Sequence, residues 1–171
     1  MREGSATAYH LAQVNMAHAL APLDDPLLAE FMAKLDEINA LADRSPGFVW
    51  RLQSESGNAT DIDVSPDPRL LINLSVWDSL ESLFGYVYRS GHAEVMRRRR
   101  EWFERMSGPY VALWWVHAGH RPGVEEALAR LEVMKRDGPT PRAFTFKQHF
   151  PSPGGRGGDL TEREVEEARC T

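Results

Sequence analysis

Three observations on the sequence predict one α+β domain, a four-stranded antiparallel sheet with helices on one face. Two-residue and helical apolar periods alternate as strand, helix, strand, strand, helix, strand, with one helix appended. The breaks between them fall at Pro, Gly and Asp-Ser clusters. A chain of 171 residues, 42% hydrophobic and 26% charged, can close a single core without disulfides or metals. Together they give the ferredoxin-like pattern.

The first strand is expected over residues 8–15, where Ala8, His10, Ala12 and Val14 alternate with Tyr9, Leu11, Gln13 and Asn15. Pro22 and Asp24-Asp25-Pro26 then signal a helix start. Leu28, Phe31, Met32, Leu35, Ile38 and Leu41 follow at the spacing of one helical face. Ser45-Pro46-Gly47 breaks that helix, and residues 48–53 form a short aromatic-rich strand. A connection over 54–69, rich in Ser, Gly, Asn, Asp and Pro, leads to the third strand, 70–77. Its Leu70, Ile72, Leu74 and Val76 read as helix-packing core; Leu71, Asn73, Ser75 and Trp77 read as a semi-polar wall.

Asp78-Ser79 caps a second helix that runs to about Arg89. After a break at Ser90-Gly91, a further helical piece is expected over 92–106, with His92, Val95, Met96, Arg99, Trp102, Phe103 and Met106 on one broad face. Ser107-Gly108-Pro109 stops it, and residues 110–117 make the fourth strand. Pro122 opens the last long helix, apolar at Val124, Ala127, Leu128, Leu131 and Met134, and Asp137-Gly138-Pro139 closes it. Phe144, Phe146 and Phe150 alternate with polar residues, as an edge segment or a clamp would. The domain is thus expected over 1–150. Residues 151–171 are expected as a flexible C-terminal tail, because the Gly-rich 154–158 and the charged 161–169 lack apolar periodicity.

A net charge of −5 argues against a broad nucleic-acid surface, which needs a basic excess to displace counterions. Arg97 to Arg100 span a full helical turn, so their guanidinium groups diverge and make no flat phosphate patch. The single cysteine, Cys170, permits no internal disulfide. No apolar run suits a leader or a membrane span, so a cytoplasmic protein is expected. A Gly-rich phosphate loop, a G-x-S-x-G elbow and a paired-carboxylate pattern are all missing, which argues against nucleotide-dependent and serine-hydrolase chemistry.

A sheet with helices on one face leaves the other to be covered, and large aromatics such as Trp50 and Trp77 are expected there. Pairing the sheets of two chains would cover them, hence an expected homodimer with a ligand cavity inside. Five segments carry a resemblance: residues 9–15 (YHLAQVN), 46–52 (PGFVWRL), 74–83 (LSVWDSLESL), 88–92 (YRSGH) and 97–103 (RRRREWF). Over residues 8–150 the chain resembles an uncharacterised bacterial family of the dimeric α/β-barrel superfamily. That superfamily includes cofactor-independent quinone-forming monooxygenases, haem enzymes, and small-molecule isomerases and dehydratases. Trp77-Asp78-Ser79 entering a helix is similar to the monooxygenase-type members. The resemblance implies the fold and a cavity; it brings no catalytic residues.

Candidate residues therefore come from chemistry. His92, on an apolar helix face, suits a general base, a hydrogen-bond partner or a haem ligand; the alternative is a capping or core histidine. Gln13, Asn15, Asn73 and Ser75 would orient a substrate or polarise a carbonyl, with Asn73 assisting proton transfer. Trp50, Trp77 and Trp114 would wall a planar ligand, although of the adjacent Trp114 and Trp115 only one can face a cavity. Phe103 adds an apolar wall, and Arg99 faces the His92 side, where it could meet a carboxylate. His117 and His120, with His10 or His149, lack metal-site spacing, so no metal is expected unless His92 holds haem iron. Three functions fit: a cofactor-free enzyme on an aromatic or polycyclic molecule, a haem enzyme with His92 as ligand, or a non-catalytic dimer holding a hydrophobic ligand.

Overall fold

The computed structural model describes residues 9–60, 62–154 and 160–170. Ala8, where the first strand was expected to begin, and the Gly-rich stretch from Gly155 lie outside the described residues. The strands are β1 (Tyr9–His18), β2 (Phe48–Arg51), β3 (Leu70–Trp77) and β4 (Val111–His117). Helices α1 (Ala29–Asp43), α2 (Leu80–Arg89), α3 (His92–Arg97), α4 (Val124–Asp137) and α5 (Glu162–Arg169) complete the fold. The sheet order is β2-β3-β1-β4, antiparallel at every pairing. This is the ferredoxin-like sheet with the helices that follow β1 and β3 on one face.

Register decides what each face carries. Gln13 lies opposite Ser75 on one side and Leu113 on the other; Asn15 lies opposite Asn73 and Val111. These residues, with Leu11, Leu71 and Trp77, form the face beneath α1, α2 and α3. The alternate residues Ala12, Val14, Ile72, Leu74, Val76, Ala112 and Trp114 are apolar and buried. They pack on α4 through Ala127, Leu131 and Met134, with Leu52 and Val64 from the β2–β3 connection.

The expectation that the semi-polar face is the bare one is corrected here. That face lies under the helices, and the fully apolar face is covered within the chain by α4 and the connection. Trp50 and Trp77 do not share a face either. A register shift between Phe48 and Trp50 sets Phe48 opposite Trp77 but Trp50 opposite Val76, on the α4 side. Among the described residues the sheet therefore has no bare face of the kind from which the homodimer was expected.

Local chemistry explains the helix boundaries. Asp25 Oδ1 accepts from Leu27 N at 2.9 Å, and Pro26 opens a 3-10 turn that runs into α1. Gly47 turns the chain into β2 with φ +81°, and a Cβ there would fall on Ser82 and on Asp78 Oδ1. Ser79 caps α2 by accepting from Ser82 N at 3.2 Å. The helix expected over 92–106 is shorter, because α3 stops at Arg97 and one 3-10 turn, Arg99–Glu101, follows. The reason is competition from β1: Leu20 N donates to Trp102 O and Glu104 N to His18 O, both at 2.8 Å. Phe103 is thereby drawn into a bridge with Ala19, and Met106 packs in the α4-side core.

Phe144 bridges Leu113 at the outer edge of β4 and is fully buried, and Phe146 is also buried. Beyond them, Thr161 and Glu164 form a capping box, and α5 docks with Leu160 and Ala168 buried against Phe84 and Phe146. Ion pairs from Arg89 to Glu164 at 3.1 Å and to Glu167 at 3.5 Å reinforce it. The sequence shows no long docking stripe here because only Val165 and Ala168 of the helix, with Leu160 just before it and the two Arg89 ion pairs, hold it.

Candidate functional site

Neither α1 nor α3 lies flat on the sheet. Within α1 only Ala42 is buried, and α3 buries no residue, although both carry apolar rows. Phe31, Leu35 and Ile38 of α1 and Val95 and Met96 of α3 instead face a cavity of about 550 Å³ between helices and sheet. Its floor includes Gln13, Asn15, Asn73, Leu71 and Leu113. Asn73 is exposed although it sits in an inner strand beneath helices, so the space above it is open.

The floor is an ordered polar row. Trp77 Nε1 donates to Ser75 Oγ at 2.9 Å, and Gln13 Nε2 donates to Ser75 Oγ at 3.1 Å and to Asn73 Oδ1 at 2.7 Å. Both hydrogens of the Gln13 amide are used, and the Asn73 oxygen is occupied, which leaves the Asn73 Nδ2 hydrogens for a ligand. Ser75 is buried and Trp77 fully so. They hold Gln13 in place and do not line the cavity.

His92 stands on the wall. Its Nδ1 lies 3.3 Å from Val87 O, and its ring centroid is 4.8 Å from that of Tyr86. A carbonyl only accepts, so Nδ1 carries the proton and Nε2 keeps its lone pair. Burial lowers the His92 pKa, and the Val87 bond raises it by less. The ring is therefore neutral at neutral pH, the state a proton acceptor needs. Tyr86 stacks on Trp77 at 5.1 Å and donates to Ile38 O at 3.3 Å; burial raises its pKa, so it stays a phenol.

Another part of the cavity wall is formed by Arg99, whose Nη1 donates to Tyr110 Oη at 3.1 Å and whose guanidinium lies 4.7 Å from the Tyr110 ring centroid. Phe103 and Phe31 meet edge to face beside it at 4.9 Å. Gln13, Asn15, Asn73, His92, Arg99 and Phe103 are thus brought to one cavity, and Trp50 and Trp114 are not. Trp114 lies on the other face, where its Nε1 donates to Glu126 Oε1 at 3.0 Å and Arg130 covers its ring. Trp115 shares the cavity side of the sheet but is sealed, its Nε1 donating to Phe150 O at 2.9 Å.

The family model described as a domain of unknown function, DUF3291, matches residues 10–158. The chain belongs to this family. No curated protein sequence matches the DUF3291 chain. Among solved structures it is similar to PA3566 from Pseudomonas aeruginosa, at 14% identity and TM-score 0.45 over 70% of this chain and 100% of that one. It is similar to SnoaB, a cofactor-independent oxygenase from Streptomyces nogalater, at 16% identity and TM-score 0.42 over 67% of this chain and 97% of that one. NE2512, a protein of unknown function from Nitrosomonas europaea, shows 17% identity and TM-score 0.41 over 68% of this chain and 97% of that one.

Sequence reasoning missed Tyr86, Tyr110, Arg51 and Asn39 in the cavity wall of the DUF3291 chain. Only the short Leu83-to-Tyr86 spacing on α2 pointed inward. Two of the remaining histidines are otherwise engaged: His120 Nε2 lies 2.7 Å from Glu126 Oε2, and His117, the last residue of β4, packs on Tyr9 at 4.8 Å. Among the described residues no group of three or more His, Cys, Asp or Glu side chains could hold a metal ion. Among those residues no helix is long and apolar enough to cross a membrane.

Proposed function

We propose that this chain is a small-molecule enzyme, monooxygenase-like and free of nucleotide cofactor, acting on an aromatic or polycyclic molecule in the sheet–helix cavity. The observation that carries the reading is His92: a neutral imidazole, anchored through Nδ1, facing a mostly apolar cavity floored by a donating amide. His92 Nε2 takes a proton from an acidic ring carbon, and the Asn73 amide donates to the oxygen on which negative charge develops. Dioxygen then oxidises the resulting carbanion. The ring CH2 becomes a carbonyl, the second oxygen atom leaves as water, and the substrate supplies all four electrons.

The residues do not fit a haem as well. His92 has the anchored imidazole of an iron ligand, but Trp50 and Trp114 face away from the cavity and Trp77 is sealed behind Tyr86. A homodimer remains part of the proposal on narrower ground. Strand β2 is an edge of the sheet with Val49 exposed, and a solution mass of twice 19.3 kDa that falls to 19.3 kDa in Val49→Lys would support pairing there.

The test follows anthrone oxidation to anthraquinone together with oxygen uptake, for the wild type and for His92→Ala with its fold checked by circular dichroism. Loss of at least about a hundredfold in turnover by a folded variant supports the reading. Anthrone binding without turnover in the wild type would favour a non-catalytic ligand-holding protein. A Soret band that disappears in His92→Ala would favour the haem enzyme.

A further inference from the structure

Among the described residues Arg99 is the only arginine that is both shielded from solvent and without a carboxylate partner. The other half-buried arginines among the described residues are matched to acids. Arg51 is held by Asp43 at 2.7 Å, Arg98 by Glu30 at 2.6 Å and Glu101 at 2.8 Å, and Arg130 lies 3.9 Å from Glu126. The arginines that lack an acid are otherwise exposed and keep their water. Arg99 has only the Tyr110 hydroxyl and ring, which occupy one of its five N–H donors and one face. A partly desolvated cation without a counter-charge is costly, and a chain of net charge −5 has acids to spare for it. The charge is turned to the cavity instead.

We propose that the natural ligand carries a carboxylate that Arg99 receives, at the end of the cavity remote from His92. The inference rests on the cavity being the ligand site, as the proposed function holds, and it names the class of molecule: an aromatic body bearing one carboxylate. Arg99 follows His92 by seven positions, a rise of roughly 10 Å along a helical path. Between them Val95 and Met96 present only apolar surface to the cavity, and Phe103 and Phe31 close the Arg99 end. The ligand is therefore anchored by its acid at one end while its far ring meets His92. The guanidinium fork selects a planar carboxylate and sets the orientation. Lys147, another cation on the wall, is exposed and remains hydrated.

The test compares 2-anthracenecarboxylate with its neutral carboxamide by fluorescence titration on the wild type, Arg99→Met and Arg99→Lys. The expected result is a preference of about tenfold or more for the carboxylate in the wild type, weakening with added salt. Arg99→Met, which keeps the aliphatic stem, should bind both probes alike, and Arg99→Lys should retain part of the preference. Equal binding of the two probes by the wild type overturns the carboxylate inference alone. Failure of the wild type to bind either probe overturns the cavity reading on which it rests. Should Arg99→Met fail to fold, the wild-type preference, its salt dependence and Arg99→Lys still decide.

Discussion

Val87 and His92 lie on either side of the Ser90-Gly91 break, and the Val87 carbonyl takes the Nδ1 proton of His92 at 3.3 Å. One hydrogen bond thus fixes the tautomer of the ring and its position on the cavity wall. His18 is placed in the opposite way. Both its nitrogens meet carboxylates, Asp67 at 2.7 Å and Glu104 at 2.6 Å, joining the end of β1 to the β2–β3 connection and to the segment after α3.

Opposite pKa shifts at these two histidines predict a stability maximum near pH 6.5, the value from which both depart. The bonds to Asp67 and then Glu104 raise His18, outweighing its slight burial and the nearby Arg69. Its contribution is full below the unfolded value and is lost as pH rises through the folded one. Burial lowers His92, so its contribution is present above the unfolded value and is lost as pH falls towards the folded one. Thermal melts between pH 5 and pH 9 should show both slopes in the wild type. His18→Gln should flatten the alkaline side and His92→Gln the acid side; unchanged profiles in both variants would refute the assignment.

Asn73 should matter to chemistry and little to folding. It is exposed into the cavity, so Asn73→Ala should leave the melting temperature within a few degrees, a change of about 0.5 kcal/mol or less. Loss of a donor aimed at developing charge should lower turnover by about a hundredfold. Gln13→Leu should give a smaller loss, because Gln13 only orients Asn73 through its 2.7 Å bond. Steady-state kinetics on anthrone separates the two, and a Gln13→Leu defect larger than that of Asn73→Ala would reverse the roles.

Gly47 and Gly57 make a matched pair. Both have positive φ, +81° and +86°, but a Cβ at Gly57 meets nothing, whereas one at Gly47 falls on Asp78 and Ser82. Gly57→Ala should cost about 1 kcal/mol from the left-handed backbone alone. Gly47→Ala should cost clearly more, since Asp78 and the capped start of α2 must also move. Urea unfolding of both variants measures the difference, and equal costs would mean that the turn yields without displacing α2.

Most of the fold was legible because its boundaries are written in local chemistry. The limits of β3 and α2 followed from alternation and from the Ser79 cap, and α4 from Pro122 and Gly138. What failed was decided by long-range contacts. The end of α3 depends on β1 claiming Trp102 and Glu104 for backbone pairing, and no local signal near Arg98 announces that. Gln13, Asn15 and Asn73 do face the cavity, as alternation implies, but alternation does not show what covers them: helices held off the sheet in place of a second sheet. Residue type and period turn His92, Asn73, Gln13 and Arg99 to the side on which the cavity lies, whereas a register shift that alternation does not show carries Trp50 to the other face.

Trp114 offers the sharpest check on which face of the sheet is the working one. It is 1% exposed, packs under α4, and donates to Glu126, which also holds His120. Trp114→Ala should therefore destabilise by about 3 to 5 kcal/mol, and Trp114→Phe by less, with the loss coming from the hydrogen bond and part of the packing. Neither change touches the cavity, so the folded fraction of each should bind 2-anthracenecarboxylate as the wild type does. Phe103→Ala is the counterpart: Phe103 is 8% exposed and lines the cavity, so both stability and affinity should fall. Parallel urea unfolding and fluorescence titration give both quantities for each variant. A folded Trp114→Phe protein that has lost the ligand, beside a Phe103→Ala protein that keeps it, would move the site to the α4 face and leave the cavity under α1 and α3 without a role.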